Sequence, residues 1–218
     1  MSANHAAFNL IFRFVENYIS PIAGRISSQR HVMAIRDGFI SAMPFMIVGS
    51  FLLVFAYPPF SPDTTWGFAR AWLDLAKEFE GRILTPFDMT MGIMSIYICA
   101  AISYNLGKHY EKSNQLDPFM CAMLSIMAFL LIAAPKTNGT LPVDSLGGTG
   151  IFTAILVAIY CVEMMRFLKA HNIGIRLPDQ VPPMIKNSFD LLIPVLVVVL
   201  TLYPLSLFIQ HHFDMLIP

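Results

Sequence analysis

The sequence predicts an all-α, polytopic membrane protein, with about five transmembrane helices behind an N-terminal amphipathic helix. Three observations carry that fold class. Five stretches contain no Asp, Glu, Lys or Arg: Gly38–Pro62, Met89–Gly107, Pro118–Pro135, Ser145–Val162 and Leu191–Phe213. Each is close to the roughly 20 helical residues that a hydrocarbon core of about 30 Å requires. The chain is 56% hydrophobic and only 13% charged, against about 25% charged residues in soluble domains. All of its charges fall between those stretches, whereas a soluble helix would carry charge along one face to wet it.

The elements follow in order. Ala6–Ile22 is apolar but interrupted by Arg13 and Glu16, and no small-residue cleavage site follows it, so it is a poor signal peptide. At helical spacing Phe8, Ile11, Phe12, Val15, Tyr18 and Ile19 share one side. That pattern predicts an amphipathic helix lying on the membrane surface, the other reading being a poorly ordered terminus. Residues 1–37 are therefore expected to form a cytoplasmic segment, and residues 38–218 the membrane domain. Pro44 falls in the first span and Pro194 and Pro204 in the last, where each removes a backbone donor and predicts a kink. Between the first two spans, residues 63–88 hold Trp66, Phe68, Trp72 and Leu75; these suit a helix resting at the outer interface. Asn138-Gly139 and Gly147-Gly148 mark turns, and Asn138-Gly139-Thr140 forms a glycosylation sequon that carries little weight. Pro182-Pro183 suits the first turn of a helix leading into the last span. No GxxxG pair lies inside a span, so tight glycine-mediated helix pairing is not expected. No internal repeat is visible.

Orientation comes from the cations. Arg13, Arg25, Arg30, Arg36, Lys108, Lys112, Arg166, Lys169, Arg176 and Lys186 fall on one side of the predicted bundle. Arg70, Lys77, Arg82 and Lys136 fall on the other. Excess positive charge marks the cytoplasm, which places the N-terminus inside and the C-terminus outside.

Few residues are candidates for chemistry. Asp88 and Glu163 border the apolar stretches closely enough to matter, since ionisable groups are costly in lipid. Glu163 either pairs with Arg166, three residues on, or lies on a transport path. Asp88 either sits in a first helical turn, favoured by the macrodipole, or serves that path. His31, His109 and His171 fall in cytoplasmic segments, His5 near the terminus, and His211-His212 at the outer end of the last span. The tandem pair lacks a third metal ligand. Cys99, Cys121 and Cys161 match no zinc or redox spacing and read as buried apolar thiols. The sequence supplies no catalytic constellation and implies no cofactor or metal. Its zero net charge and lack of a basic stripe argue against a nucleic-acid partner.

Whole phrases carry a resemblance. They are His31–Ile40 with Met43-Pro44, Met91–Ser95, Ala122–Ser125, Val162-Glu163-Met164, Ile175–Pro183, Lys186–Phe189 and Leu192-Ile193-Pro194. In this order they resemble the N-terminal half of a phosphotransferase-system sugar permease, enzyme IIC of the lactose/cellobiose/chitobiose family. The resemblance implies a bacterial inner-membrane transporter for a β-linked disaccharide or β-glucoside. It implies phosphorylation of that sugar by a phosphocysteine on enzyme IIB, about ten transmembrane helices, and a homodimer built chiefly on the first five. The sugar-binding histidine and glutamate of that family belong to the later half and have no counterpart before Pro218. No substrate-binding residue is therefore carried over, and the substrate-binding residues stay unknown. Two expectations follow: a permease component, or a truncated module that serves only in dimerisation or in association with full-length permeases.

Overall fold

In the computed structural model, residues 20–134, 142–175 and 189–213 are described, together with 16, 17 and 182. Among them every regular element is helical. α1 spans Ser20–Ser27, α2 Arg30–Ala56, α3 Gly67–Asp88, α4 Met94–Asn114, α5 Pro118–Ala133, α6 Ile151–Ala170 and α7 Leu192–Phe213. A 3-10 turn, Gly148–Gly150, leads into α6. The predicted surface helix at Ala6–Ile22 lies almost wholly outside the described residues, as do the sequon and the 176–181 and 183–188 phrases.

α4 is the hub. It packs on α2, α5 and α6, and α7 lies against α5 and α6. Its buried residues Ser95, Ile98, Cys99, Ile102, Ser103, Leu106 and Tyr110 recur every three or four positions, the period that keeps one face turned inward. Among the described residues three helices are long and apolar enough to cross a membrane: Arg30–Ala56, Gly148–Ala170 and Leu192–Gln210. α5, at 16 residues, is apolar but shorter. α4 is more polar because its last turns carry Lys108, His109, Glu111 and Lys112, all exposed.

The expectation of no close pairing is corrected. α2 buries Ala34, Gly38 and Ala42, one small residue every four, against α4. A Cβ on Gly38 would lie 2.9 Å from the backbone N of Ile102 and 3.0 Å from its Cα. The contact is of the small-xxx-small kind with alanine in two of three places, which a search for GxxxG misses.

The prolines behave according to position. Pro44 and Pro204 lie inside continuous helices. Pro194 falls in the first turn of α7, where its missing N–H would have had no partner anyway. Asp88 is also corrected. It is the last residue of α3, exposed, and not in a first turn, because α4 begins only at Met94.

Helix ends are closed by identifiable groups. Asp117 caps α5, its side chain accepting from the N–H groups of Phe119 and Met120, with Pro118 at the first helical position. Gln115 ends α4 in the left-handed region at φ 52°. Its carbonyl accepts from Lys169 Nζ at 2.7 Å, tying the α4–α5 turn to α6. The Cys99, Cys121 and Cys161 thiols are all free and buried, as the sequence suggests.

Candidate functional site

Polar side chains gather at the end of the bundle where α2 begins and α4 and α6 finish. Glu163 sits in the last two turns of α6, with the chain's cationic Arg166 one turn further on. The predicted pair forms: Arg166 Nη1 donates to Glu163 Oε2 at 2.7 Å. Two further partners come from distant sequence. The Tyr110 hydroxyl, from the last turns of α4, donates to Glu163 Oε1 at 2.7 Å. His31 Nε2, from the first turn of α2, meets the same oxygen at 3.0 Å. A carboxylate can only accept, so this nitrogen carries the proton.

Tyr110 is held on its ring face as well. The Arg166 guanidinium lies 4.6 Å from the ring centroid and that of Arg30 5.5 Å, and Arg166 Nη1 also reaches the hydroxyl at 3.2 Å. Cations over an aromatic face are attracted by its quadrupole. The Glu163 side chain is 32% exposed, so the group stands between core and solvent. Beside it Lys169 Nζ lies 3.5 Å from Asp190 Oδ2, which fastens the approach to α7 onto α6.

This arrangement is an anchor first. Glu163 accepts from three donors on α2, α4 and α6, so the ends of three helices cannot separate without unpairing a carboxylate. No group of three His, Cys, Asp or Glu residues able to hold a metal is found among the described residues. His31 and Tyr110 were not legible as partners of Glu163: the contacts span 132 and 53 residues, and nothing local marks them. Asp88 stays apart from this group, at the opposite end of the bundle. The side chains of His211 and His212 lie outside the described residues.

At that opposite end, the 142–150 segment folds onto the start of α4. Ser95 N donates to the Leu146 carbonyl at 2.9 Å, and the Ser95 hydroxyl donates to the Gly147 carbonyl. Nearby, α3 docks on the exit of α2. Trp72 Nε1 donates to the Phe55 carbonyl at 3.2 Å, and Trp72 packs with Phe55, Phe60 and Phe68. Trp66 and Phe68 remain exposed, the amphipathic arrangement expected of a helix at a water–lipid boundary.

Comparison with known proteins bears on the whole chain. The family model "Phosphotransferase system, EIIC" matches residues 36–218. The "PTS system cellobiose-specific EIIC component" of Geobacillus stearothermophilus is 35% identical over 206 residues, which is 86% of this chain and 43% of that protein. The "Lichenan permease IIC component" of Bacillus subtilis (strain 168) is 30% identical over 219 residues, covering 93% of this chain and 46% of the relative. The crystal structure of ChbC, the IIC component from the N,N'-diacetylchitobiose-specific phosphotransferase system, superposes with a TM-score of 0.75 at 33% identity. That match covers 92% of this chain and 48% of ChbC. The chain thus spans less than half the length of these relatives. On the family match and these identities together, the chain belongs to the EIIC family of the phosphotransferase system.

Proposed function

We propose that the chain is the N-terminal, helix-bundle part of a sugar permease that takes up a β-linked disaccharide or β-glucoside. Phosphorylation of the sugar belongs in this reading to enzyme IIB on the cytoplasmic side. The relatives named for cellobiose, lichenan and chitobiose support the substrate class. The observation that carries the reading is similarity over nearly the whole chain, extending from helix α2 to the end of α7.

In this reading α2, α4, α5, α6 and α7 are five crossings in alternating directions, α3 rests on the membrane surface, and residues 1–37 are cytoplasmic. Contacts support the alternation. The start of α2 and the ends of α4 and α6 meet at Glu163, while the start of α4 meets the loop before α6. Arg30, Arg166 and Lys169 gather at the first of these ends, which supports reading it as the cytoplasmic one in a bacterial inner membrane. Single cysteines introduced beside Arg30 and beside Tyr57 test the topology with an impermeant maleimide in intact cells. Only the second should label, and labelling of the first discards the orientation. For transport, the chain is expressed with a complementary C-terminal half in a strain lacking β-glucoside uptake. Sugar accumulation is expected, and none would discard the activity.

A second reading is a membrane module that works by association, as a homodimer or with full-length permeases. The breadth of apolar surface on α2 favours it: Ile40, Met43, Ile47, Phe51 and Val54 are all exposed along the helix. Crosslinking in membranes through these positions decides it, since a strictly monomeric chain would exclude association.

A further inference from the structure

Where α2 leaves the apolar region, a cavity of about 700 Å³ opens between its exit and α3. That is within the range of about 300–1,000 Å³ typical of small-molecule sites. One wall is Tyr57 with Pro58 and Pro62. The other is a stripe of α3 side chains three or four residues apart, Arg70, Asp74, Lys77 and Glu80. Two cations and two carboxylates thus face one space. Glu80 is oriented by the Tyr57 hydroxyl, which donates to it at 2.9 Å, and Arg70 Nε donates to the Thr64 carbonyl at 2.8 Å. Asp74 and Lys77 have no ion pair or hydrogen bond among the described residues, although opposite charges three apart on a helix are well placed to pair.

The surroundings indicate what fits. Along α3 a separate apolar stripe, Phe68 and Leu75, is exposed. On this side of the bundle Trp66 and Trp72 both pack against Phe68, and indole rings favour the headgroup layer of a bilayer. The tryptophan rings pack on phenylalanines and do not line the cavity, and the aromatic residue in its wall, Tyr57, has its hydroxyl engaged by Glu80. α2 below the cavity exposes Phe51 and Val54 to the apolar layer. A ligand with both charges at one end and hydrocarbon at the other satisfies every wall.

We infer that this cavity binds the headgroup of a zwitterionic phospholipid with a primary ammonium, its phosphate toward Lys77 and Arg70 and its ammonium toward Asp74 and Glu80. The acyl chains run along the exposed face of α2. This site rests on the membrane placement of α2 and α3 but on neither the direction of insertion nor transport. Phosphate oxygens accept from both cations, and only an ammonium with N–H groups can donate to both carboxylates. Phosphatidylcholine lacks those donors, and phosphatidylglycerol lacks the cation.

The test is lipid binding to the purified, delipidated chain in detergent, followed by native mass spectrometry. Phosphatidylethanolamine should bind about tenfold more tightly than phosphatidylcholine or phosphatidylglycerol, the factor carried by one charge-assisted hydrogen bond. Lys77→Ala and Asp74→Asn alter exposed side chains and should each remove that preference, with circular dichroism and thermal transitions of the lipid-free protein unchanged. Exposed Glu78→Gln, off the cavity stripe, should leave it intact. Equal binding of the three lipids, or a preference that survives both cavity variants, overturns the proposal. So does displacement of the bound lipid by cellobiose, which would make the cavity a sugar site. Membrane extraction of the chain, scored separately, tells failure of this site from failure of the membrane placement.

Discussion

The Tyr110 hydroxyl and the Glu163 carboxylate meet at 2.7 Å across 53 residues of chain, joining the end of α4 to the end of α6. His31 and Arg166 complete the same carboxylate's set of donors. Groups that share one acceptor do not contribute independently. Glu163→Ala strands three donors and should cost about 1–3 kcal/mol, the lower part of that range because the group is one-third exposed and screened by water. Glu163→Gln keeps an acceptor for Tyr110 and should cost less. Combining Glu163→Ala with Tyr110→Phe should give a coupling of at least about 0.5 kcal/mol. Reversible unfolding in mixed micelles measures all three, and strict additivity would mean that the helix ends are not held by a shared network.

The Gly38–Ile102 approach makes a second, sharper prediction. In Gly38→Ala the new Cβ meets backbone atoms of α4 at 2.9 and 3.0 Å, and backbone cannot rotate away as a side chain can. α2 and α4 must part, at a cost of about 1–3 kcal/mol. Gly81, also within a helix, has nothing within 4 Å of its added Cβ. Gly81→Ala should therefore stabilise α3 by up to about 1 kcal/mol through helix propensity alone. The two alanine variants, compared in one thermal denaturation experiment, should shift in opposite directions.

What could be read beforehand follows from the range of each interaction. Uncharged tracts record the solvent around a helix, so α2, α6 and α7 were visible in composition, and so was the local pair of Glu163 with Arg166. The same tracts do not fix where a helix begins. The α4 stretch was expected from Met89, yet the helix starts at Met94, because residues 89–93 form turns that let α3 close with Asp88. Ala34, Gly38 and Ala42 were present in the sequence, but alanine is too common for its spacing to announce a contact. Tyr110 and His31 join Glu163 only through the packing of three helices, which no local pattern encodes.

The Asp117 cap is a local device with a separable effect. Its side chain accepts from Phe119 N at 2.9 Å and Met120 N at 3.3 Å, two of the donors that a helix start leaves unpaired. Asp117→Ala should lower stability by about 1 kcal/mol, and Asp117→Ser, which keeps an acceptor, should recover most of it. Both variants should leave the Glu163 network intact, so their cost should add to that of Glu163→Ala within about 0.3–0.5 kcal/mol. Coupling beyond that would show that the start of α5 and the end of α6 move as one unit.

The Tyr57–Glu80 contact predicts a pH effect at the other end of the bundle. The hydrogen bond from the phenol to Glu80, together with that carboxylate's charge, raises the Tyr57 value above its ordinary level. Ionising the phenol removes the donor and sets two negative groups side by side. A raised value means the contact contributes fully below the unfolded tyrosine value of about 10 and is lost as pH rises through the folded value. Phenolate absorbance, taken as the difference between the parent chain and Tyr57→Phe, should therefore show a midpoint above about 10. In a Glu80→Gln background that midpoint should return toward about 10, because the amide still accepts a hydrogen bond but no longer opposes the phenolate charge. A midpoint that ignores Glu80 would mean the two side chains do not meet in the membrane-embedded protein, and one wall of the proposed lipid site would lose its orienting bond.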